Sequence, residues 1–434
     1  MKSLVLALLL SFASISSHAA SVAALTLDQA LAAAQEAHPD LALAVADQAA
    51  AAADRDLAAA RGDWSLSLEA GLRQARPTSG PDTVSDNSLK LNARKSLYDF
   101  GRTARSTQAA DSLLEARAAS LLDVRARRRL DIMARFFAVL LADMQYASDN
   151  EYMAVAYVNF DNARDRLAAG QLAAADVAEL ESVYQEWLVK RNAAQARQRL
   201  ARAQLANAMN RPGRLAADLA DPDLVGNNRP LPEYEQLLPL LRSSSPRLAA
   251  LRAQLAAATQ RIEAVRAEKS PALDLELEAA DYSREATTRD NLRGGVVLTW
   301  PLYTGNRVNA LMAREQAQFQ HLQAESEKLS LDLEQTLLET WLEIGELQRT
   351  ARTAARKNTD YRDLALERAR GQYEMELKTN LGDSMAATMA AKLRERQTEY
   401  RLALAFARLE ALLGQPLGKV AEDKMAGENK EQTK

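Results

Sequence analysis

One order of features occurs twice in this chain. His38-Pro39-Asp40-Leu41 opens an Ala-rich helical run that leads to the alternating segment Ser65-Leu66-Ser67-Leu68-Glu69. Ser245-Pro246-Arg247-Leu248 leads in the same way to Ala272-Leu273-Asp274-Leu275-Glu276. At nearly the same interval, Leu97-Tyr98-Asp99-Phe100-Gly101-Arg102 is answered by Leu302-Tyr303-Thr304-Gly305-Asn306-Arg307. A repeat that holds register over most of a chain means two copies of one architectural unit. Each unit reads as helix, short strands and then one very long helix, a poor recipe for a single compact globule.

Proline and glycine mark the long helices by their absence. Arg102 to Ala169 contains neither, and from Arg307 to Arg370 the only glycine is Gly345. Each window is roughly 65 residues, a rod approaching 100 Å at ~1.5 Å per residue. In the first, Leu130, Met133, Phe137, Leu140 and Met144 alternate at three and four, as in a coiled-coil seam. Arg125, Arg127, Arg128 and Arg129 on the same rod read as a solvated, salt-bridged face. Each rod ends in a break, at Gly170-Gln171-Leu172 and near Glu376 to Gly382, followed by a return helix stopped by Gly and Pro.

The strands set the environment. Leu66 and Leu68 oppose Glu69, and Leu89 and Leu91 oppose Lys90 and Arg94. In the second unit Leu275 and Leu277 oppose Asp274, Glu276 and Glu278, while Val296, Leu298 and Trp300 oppose Arg293. Segments of about ten alternating residues, joined by the polar loops Arg76–Asn87 and Ser283–Asp290, carry the signature of an outer-membrane barrel. The apolar set is expected to meet lipid and the charged set to line a water-filled lumen. Trp64 and Trp300 fall at the helix-side ends, where an interfacial aromatic girdle lies. Lys95 breaks the apolar phase but lies near that end, within snorkelling reach of water. Two amphipathic hairpins on a soluble core would share the alternation, yet would not explain hairpins rooted on such rods. Four strands cannot close, and an open edge is not tolerated in lipid. Copies must therefore combine, and twelve strands from three chains leave a channel where eight would be filled by side chains.

Composition agrees. Lys2, the apolar run Leu4 to Ala13 and Ser17-His18-Ala19 read as a secretory signal over residues 1–20. The chain has no cysteine, a net charge of −3 with 26% charged residues, and only 5% aromatics. Disulfides are excluded, and there is no basic field of the kind that binds nucleic acid. The expected organisation is a first repeat over 21–219 (strands about 64–73 and 88–97, helical hairpin 102–209), a linker at 220–240 rich in proline, a second repeat over 241–418 (strands about 272–282 and 291–301, hairpin 307–413), and a hydrophilic tail at 419–434.

With these features in place the chain resembles the TolC-like outer-membrane efflux and type I secretion channels over nearly all its mature length. Leu25-Thr26-Leu27-Asp28-Gln29-Ala30-Leu31 followed by His38-Pro39-Asp40-Leu41 is similar to the family's opening motif. Leu97-Tyr98-Asp99-Phe100-Gly101-Arg102 is similar to its strand-to-helix motif. Arg166-Leu167-Ala168-Ala169-Gly170 with Asp176-Val177 resembles the tip of its first hairpin. The resemblance implies a mainly α fold with a small β part: a homotrimer whose twelve-stranded outer-membrane β-barrel continues into a periplasmic α-helical barrel. It also implies a periplasmic adaptor and an inner-membrane transporter as partners. At the periplasmic end it implies a tie among Asp176, Tyr373 and Lys378 that holds the tips closed. The second tip departs from the pattern. The family's Gly position falls on Glu376, its acidic positions fall on Gly382 and Met385, and Asp383 is displaced by one residue.

No catalytic or cofactor constellation stands out. His18 leaves with the signal, and His38 and His321 stand apart without cysteine partners, so no transition-metal cluster forms. Met375, Met385 and Met389 read as helix spacers rather than a soft-metal path, and Gly294-Gly295 lies inside a strand rather than in a phosphate loop. The chain is expected to be neither enzyme nor cofactor binder. The alternative from a different class is a periplasmic coiled-coil adaptor or structural protein without a pore. Small-molecule efflux and protein secretion stay equally open.

Overall fold

The computed structural model describes residues 24–76, 82–213, 218–284, 289–375 and 381–417. The expected signal at 1–20, the tail at 419–434, Glu376 and Lys378 lie outside the described residues.

In chain order the first half comprises α1 (Leu27–Ala32), α2 (Pro39–Ala60), β1 (Ser65–Gly71), β2 (Gln74–Ala75), β3 (Val84–Ser85), β4 (Ser88–Tyr98), α3 (Arg102–Ala168) and α4 (Ala174–Ala208). The second half comprises α5 (Tyr234–Ser244), α6 (Pro246–Arg266), β5 (Ala272–Tyr282), β6 (Leu292–Thr299), α7 (Arg307–Glu346), α8 (Arg352–Glu374) and α9 (Leu381–Leu413). At 67 residues, α3 spans about 100 Å.

The two halves share the joint that turns a strand into a long helix. Phe100 and Gly101 take φ of 55° and 86°, and Gly305 and Asn306 take 62° and 64°. Two successive left-handed residues reverse the chain sharply, and Gly or Asn tolerates that region best. In the first joint Asp99 then caps the helix, accepting the Thr103 N–H at 2.8 Å and the Gly101 N–H at 3.2 Å. At α2 the cap is His38, whose Nδ1 accepts the Asp40 N–H at 3.2 Å with Pro39 at the first helical position.

β1, β4, β5 and β6 form one antiparallel sheet in the order β1-β4-β5-β6, leaving β1 and β6 as its edges. The helices pack beside one another, α2 on α3, α3 on α6 and α6 on α7, so the helical layer continues the strand order. Two apolar cores lie along this layer. One joins Leu237 and Leu241 of α5 to Leu333, Leu337 and Ile344 of α7 and Phe406 of α9. The other joins Ala30, Ile132, Phe136, Leu205 and Tyr400, with the Phe137 and Tyr400 rings stacked at 4.5 Å. Tyr400 donates to Asp221 at 2.7 Å, and burial together with that carboxylate pushes its phenol up from the ordinary value.

Four expectations need correction. The proline-rich segment 220–240 is not all linker: α5 begins at Tyr234, holds Pro239 inside it, and buries Leu237. Amphipathic packing outweighs the one hydrogen bond that proline removes. The loop Arg76–Asn87 is partly ordered, with Val84–Ser85 paired to Gln74–Ala75. The rod from Arg307 is interrupted by a π turn at Leu347–Ala351, just after Gly345. Finally, Arg128 is not on a solvated face. It is 6% exposed, its guanidinium donates to Ala33 O and Ala34 O at 3.4 Å each, and burial pulls its pKa below the ordinary arginine value.

Candidate functional site

The register places the strand residues on two faces. Leu68 stands opposite Leu91, Leu66 opposite Ala93, and Ala70 opposite Leu89. Ala93 in turn faces Leu277, and Leu275 faces Val296 while Leu273 faces Leu298. Directly opposed residues share a face, and alternation sends their neighbours to the other. Leu66, Leu68, Leu89, Leu91, Leu275, Leu277, Val296 and Leu298 therefore share one side of the sheet, with Trp300 two residues beyond Leu298. Glu69, Lys90, Arg94, Asp274, Glu276, Glu278 and Arg293 share the other.

The polar side is knitted by ion pairs. Arg94 bonds Asp274 at 2.6 Å and approaches Glu276 at 3.7 Å, and Arg293 meets Glu278 at 3.3 Å. Glu69 and Lys90 are opposed in register. The apolar side carries two charges, both toward strand ends. Asp281 faces Leu89, and Lys95 rests its ammonium 5.6 Å from the centre of the Trp64 ring. Val297, opposite Asp274, is an apolar exception on the polar side. No described helix is long and apolar enough to cross a membrane, which says nothing of the sheet.

At the far ends of the hairpins, Gly170 takes φ of 73° while Gln171 N–H bonds Arg166 O at 2.8 Å, closing α3. Asp176 accepts the Ala173 N–H at 3.4 Å and so caps α4. Tyr373 is exposed near the end of α8. The hydrogen bonds and ion pairs of the described residues do not join Asp176 to Tyr373, and Lys378 lies outside them. Asp383 is exposed in the first turn of α9. Its neighbour Gly382 lies against α3 so closely that a Cβ there would stand 2.7 Å from Val155 Cγ2. The position where the family pattern expects an acid is thus a packing contact in this chain.

A polar node was missed by reasoning from sequence. Glu399, 6% exposed, accepts from Arg352 at 2.6 Å, Arg356 at 3.0 Å and Asn227 at 2.8 Å. Gln348, inside the π turn, donates to Asn227 O at 3.1 Å and Arg229 O at 2.9 Å. Burial alone would raise the Glu399 carboxyl, but the bonds from Arg352 and Asn227 more than offset it and hold it below its ordinary range. The node ties the connection between the halves to α8 and α9. For Arg128 a signal was present: it stands four residues before Ile132 and eight before Phe136, on the buried stripe.

Residues 237–415 match the outer membrane efflux protein family, one of transport channels rather than enzymes. No curated protein sequence matches the chain. Solved structures match nearly its whole length. The outer membrane protein VceC of Vibrio cholerae is 18% identical, over 90% of this chain and 96% of that one, with a TM-score of 0.72. The MtrE outer membrane channel of Neisseria gonorrhoeae, in its open state, is 19% identical over 90% and 89%, with a TM-score of 0.73. CusC, described in terms of transmembrane channel formation, is 18% identical over 90% and 92%, also at 0.73. Residues 237–415 thus match the outer membrane efflux protein family, and the chain as a whole shares the fold of these solved outer membrane channels.

Proposed function

We propose that this protein is the outer-membrane exit duct of a tripartite export machine, conducting small-molecule or protein cargo passively from an inner-membrane transporter and its periplasmic adaptor to the exterior. The observation that carries the reading is the four-stranded sheet with one apolar face, one ion-paired face and two edges, continuous with helices of about 100 Å. Two structural repeats, 21–219 and 241–418, supply two strands each. Three chains close twelve strands without an edge, with the Leu277 side against outer-membrane lipid and the Arg94 side around water. The helices extend the tube through the periplasm. A pore-less coiled-coil adaptor has no use for such a sheet.

Purified protein reconstituted in planar bilayers is expected to carry discrete, long-lived current steps, and fractionated cells to hold the mature chain in the outer membrane as a homotrimer. Extraction into aqueous buffer without detergent, or a stable monomer in mild detergent, contradicts the reading.

The periplasmic tips form the gate. The family resemblance supports a tie to Asp176 from Tyr373 and Lys378 in the closed trimer, which the single chain does not make between Asp176 and Tyr373, with Gly170 shaping the tip and Asp383 at the constriction. A charge-assisted bond of this kind is worth roughly 1.5–3 kcal/mol when partly desolvated. Asp176 also caps its own helix, so the informative variant spares it. Tyr373→Phe combined with Lys378→Ala is expected to raise single-channel conductance at unchanged trimer yield. Unchanged conductance rejects the lock and leaves Asp176 as a cap alone.

A further inference from the structure

Below the sheet, α2, α3, α6 and α7 leave a cleft of about 290 Å³ that runs into a second of about 270 Å³. Arg61, Ser106 and Arg261 line both, and Arg102 lines the first. The cleft's charge is not balanced from within. Glu268 is committed to Arg307 at 2.6 Å and Glu315 to Arg314 at 2.8 Å. Among the described residues, the guanidinium groups of Arg61, Arg102 and Arg261 form no ion pair, and Asp54 is the one lining carboxylate likewise uncommitted. Three free cations thus face one free anion. Beside these arginines and Asp54, Leu57, Ala109, Ala110 and Leu113 give the second cleft an apolar stretch of wall. Charge with hydrocarbon beside it is the lining an amphiphilic anion requires.

We propose that this cleft binds an organic anion, a phosphate monoester or carboxylate carrying a short apolar chain. The guanidinium fork matches both anionic heads bidentately. On α3, Arg102, Ser106, Ala109 and Leu113 recur at intervals of four, three and four and so share a face. On the channel reading this face is placed toward the duct of the trimer, where three copies would make a basic collar. Cargo passing the collar is then held by its anionic end. That transport role rests on the channel reading, whereas binding itself does not.

Equilibrium dialysis of the detergent-solubilised full chain against radiolabelled hexyl phosphate tests the proposal. Saturable binding of one molecule per chain is expected. R61Q/R102Q/R261Q should weaken it at least tenfold, while the corresponding Arg→Lys triple variant weakens it less. Circular dichroism and oligomer size are read on each variant, and hexyltrimethylammonium serves as the cationic control. Absence of saturable binding, equal binding by the glutamine variant with native helicity, or equal binding of the cation overturns the proposal. Should the glutamine variant not fold, the single variant R261Q, expected to weaken binding severalfold, decides in its place. A protein that binds the phosphate but carries no current in bilayers overturns the channel reading alone.

Discussion

Glu399→Ala is expected to destabilise the folded protein by about 3–5 kcal/mol, the range for removing one partner of a buried ion pair. The loss comes less from the missing attraction than from what is left behind. Arg352 keeps only the Asn228 side-chain oxygen and Asn227 only the backbone carbonyl of residue 399, and a largely buried guanidinium left without its counter-charge is costly. Replacing both Glu399 and Arg352 with leucine should cost markedly less than the single change, because apolar side chains need no partner. Denaturant unfolding followed by helix signal measures both. Equal losses for the single and paired variants would mean that the node holds the connection between the halves by packing alone.

The same node carries a pH dependence of fixed sign. Its carboxyl stands below the ordinary glutamate value of 4.5, so the folded chain stays ionised there to lower pH than the unfolded chain. The unfolded chain therefore binds more protons in that window, and stability rises with pH. The contribution is complete above the unfolded value and is lost as pH falls through the folded one. Glu399→Gln should flatten the acid limb of the stability curve while leaving the slope near neutral pH unchanged.

The face assignment of the strands was legible because alternation is a property of neighbouring residues. Once Leu66, Leu68, Glu69 and their counterparts alternate, any antiparallel register that keeps the period yields one apolar and one polar face. The duplicated joints were legible for a similar reason. Phe100-Gly101 and Gly305-Asn306 differ in sequence, yet each supplies a residue tolerant of positive φ next to the start of a long helix. What escaped depends on contacts between distant segments. The spacing of Arg128 to Ile132 and Phe136 marks it for the buried stripe, but nothing local says that the turn just after α1 will offer it the Ala33 and Ala34 carbonyls. Pro239 reads as a breaker until Leu237 and Leu241 find α7 and α9. Gly382 reads as a missing acid until Val155 is seen to occupy the space a side chain would take.

Depth within the sheet separates the channel from a soluble hairpin, and three arginine substitutions measure it. Leu277 stands mid-strand on β5, opposite Ala93 and Gly294, with its Cδ2 over the Gly294 backbone. Leu298 shares that face one residue from the end of β6 and two from Trp300, which we place at the interface. Ser67 lies on the other face, opposite Asn92, in line with Glu278. Arginine on the lipid face costs about 2–4 kcal/mol at the midplane and roughly 0–1 near the interface. Leu277→Arg should therefore be the most damaging, Leu298→Arg intermediate, and Ser67→Arg tolerated in water beside a carboxylate. Urea unfolding from lipid vesicles gives the order directly. In a hairpin packed on a soluble core, the two leucines would instead rank by burial in the single chain, where both are exposed. Near-equal, small losses at Leu277 and Leu298 would remove lipid from this face and with it the barrel.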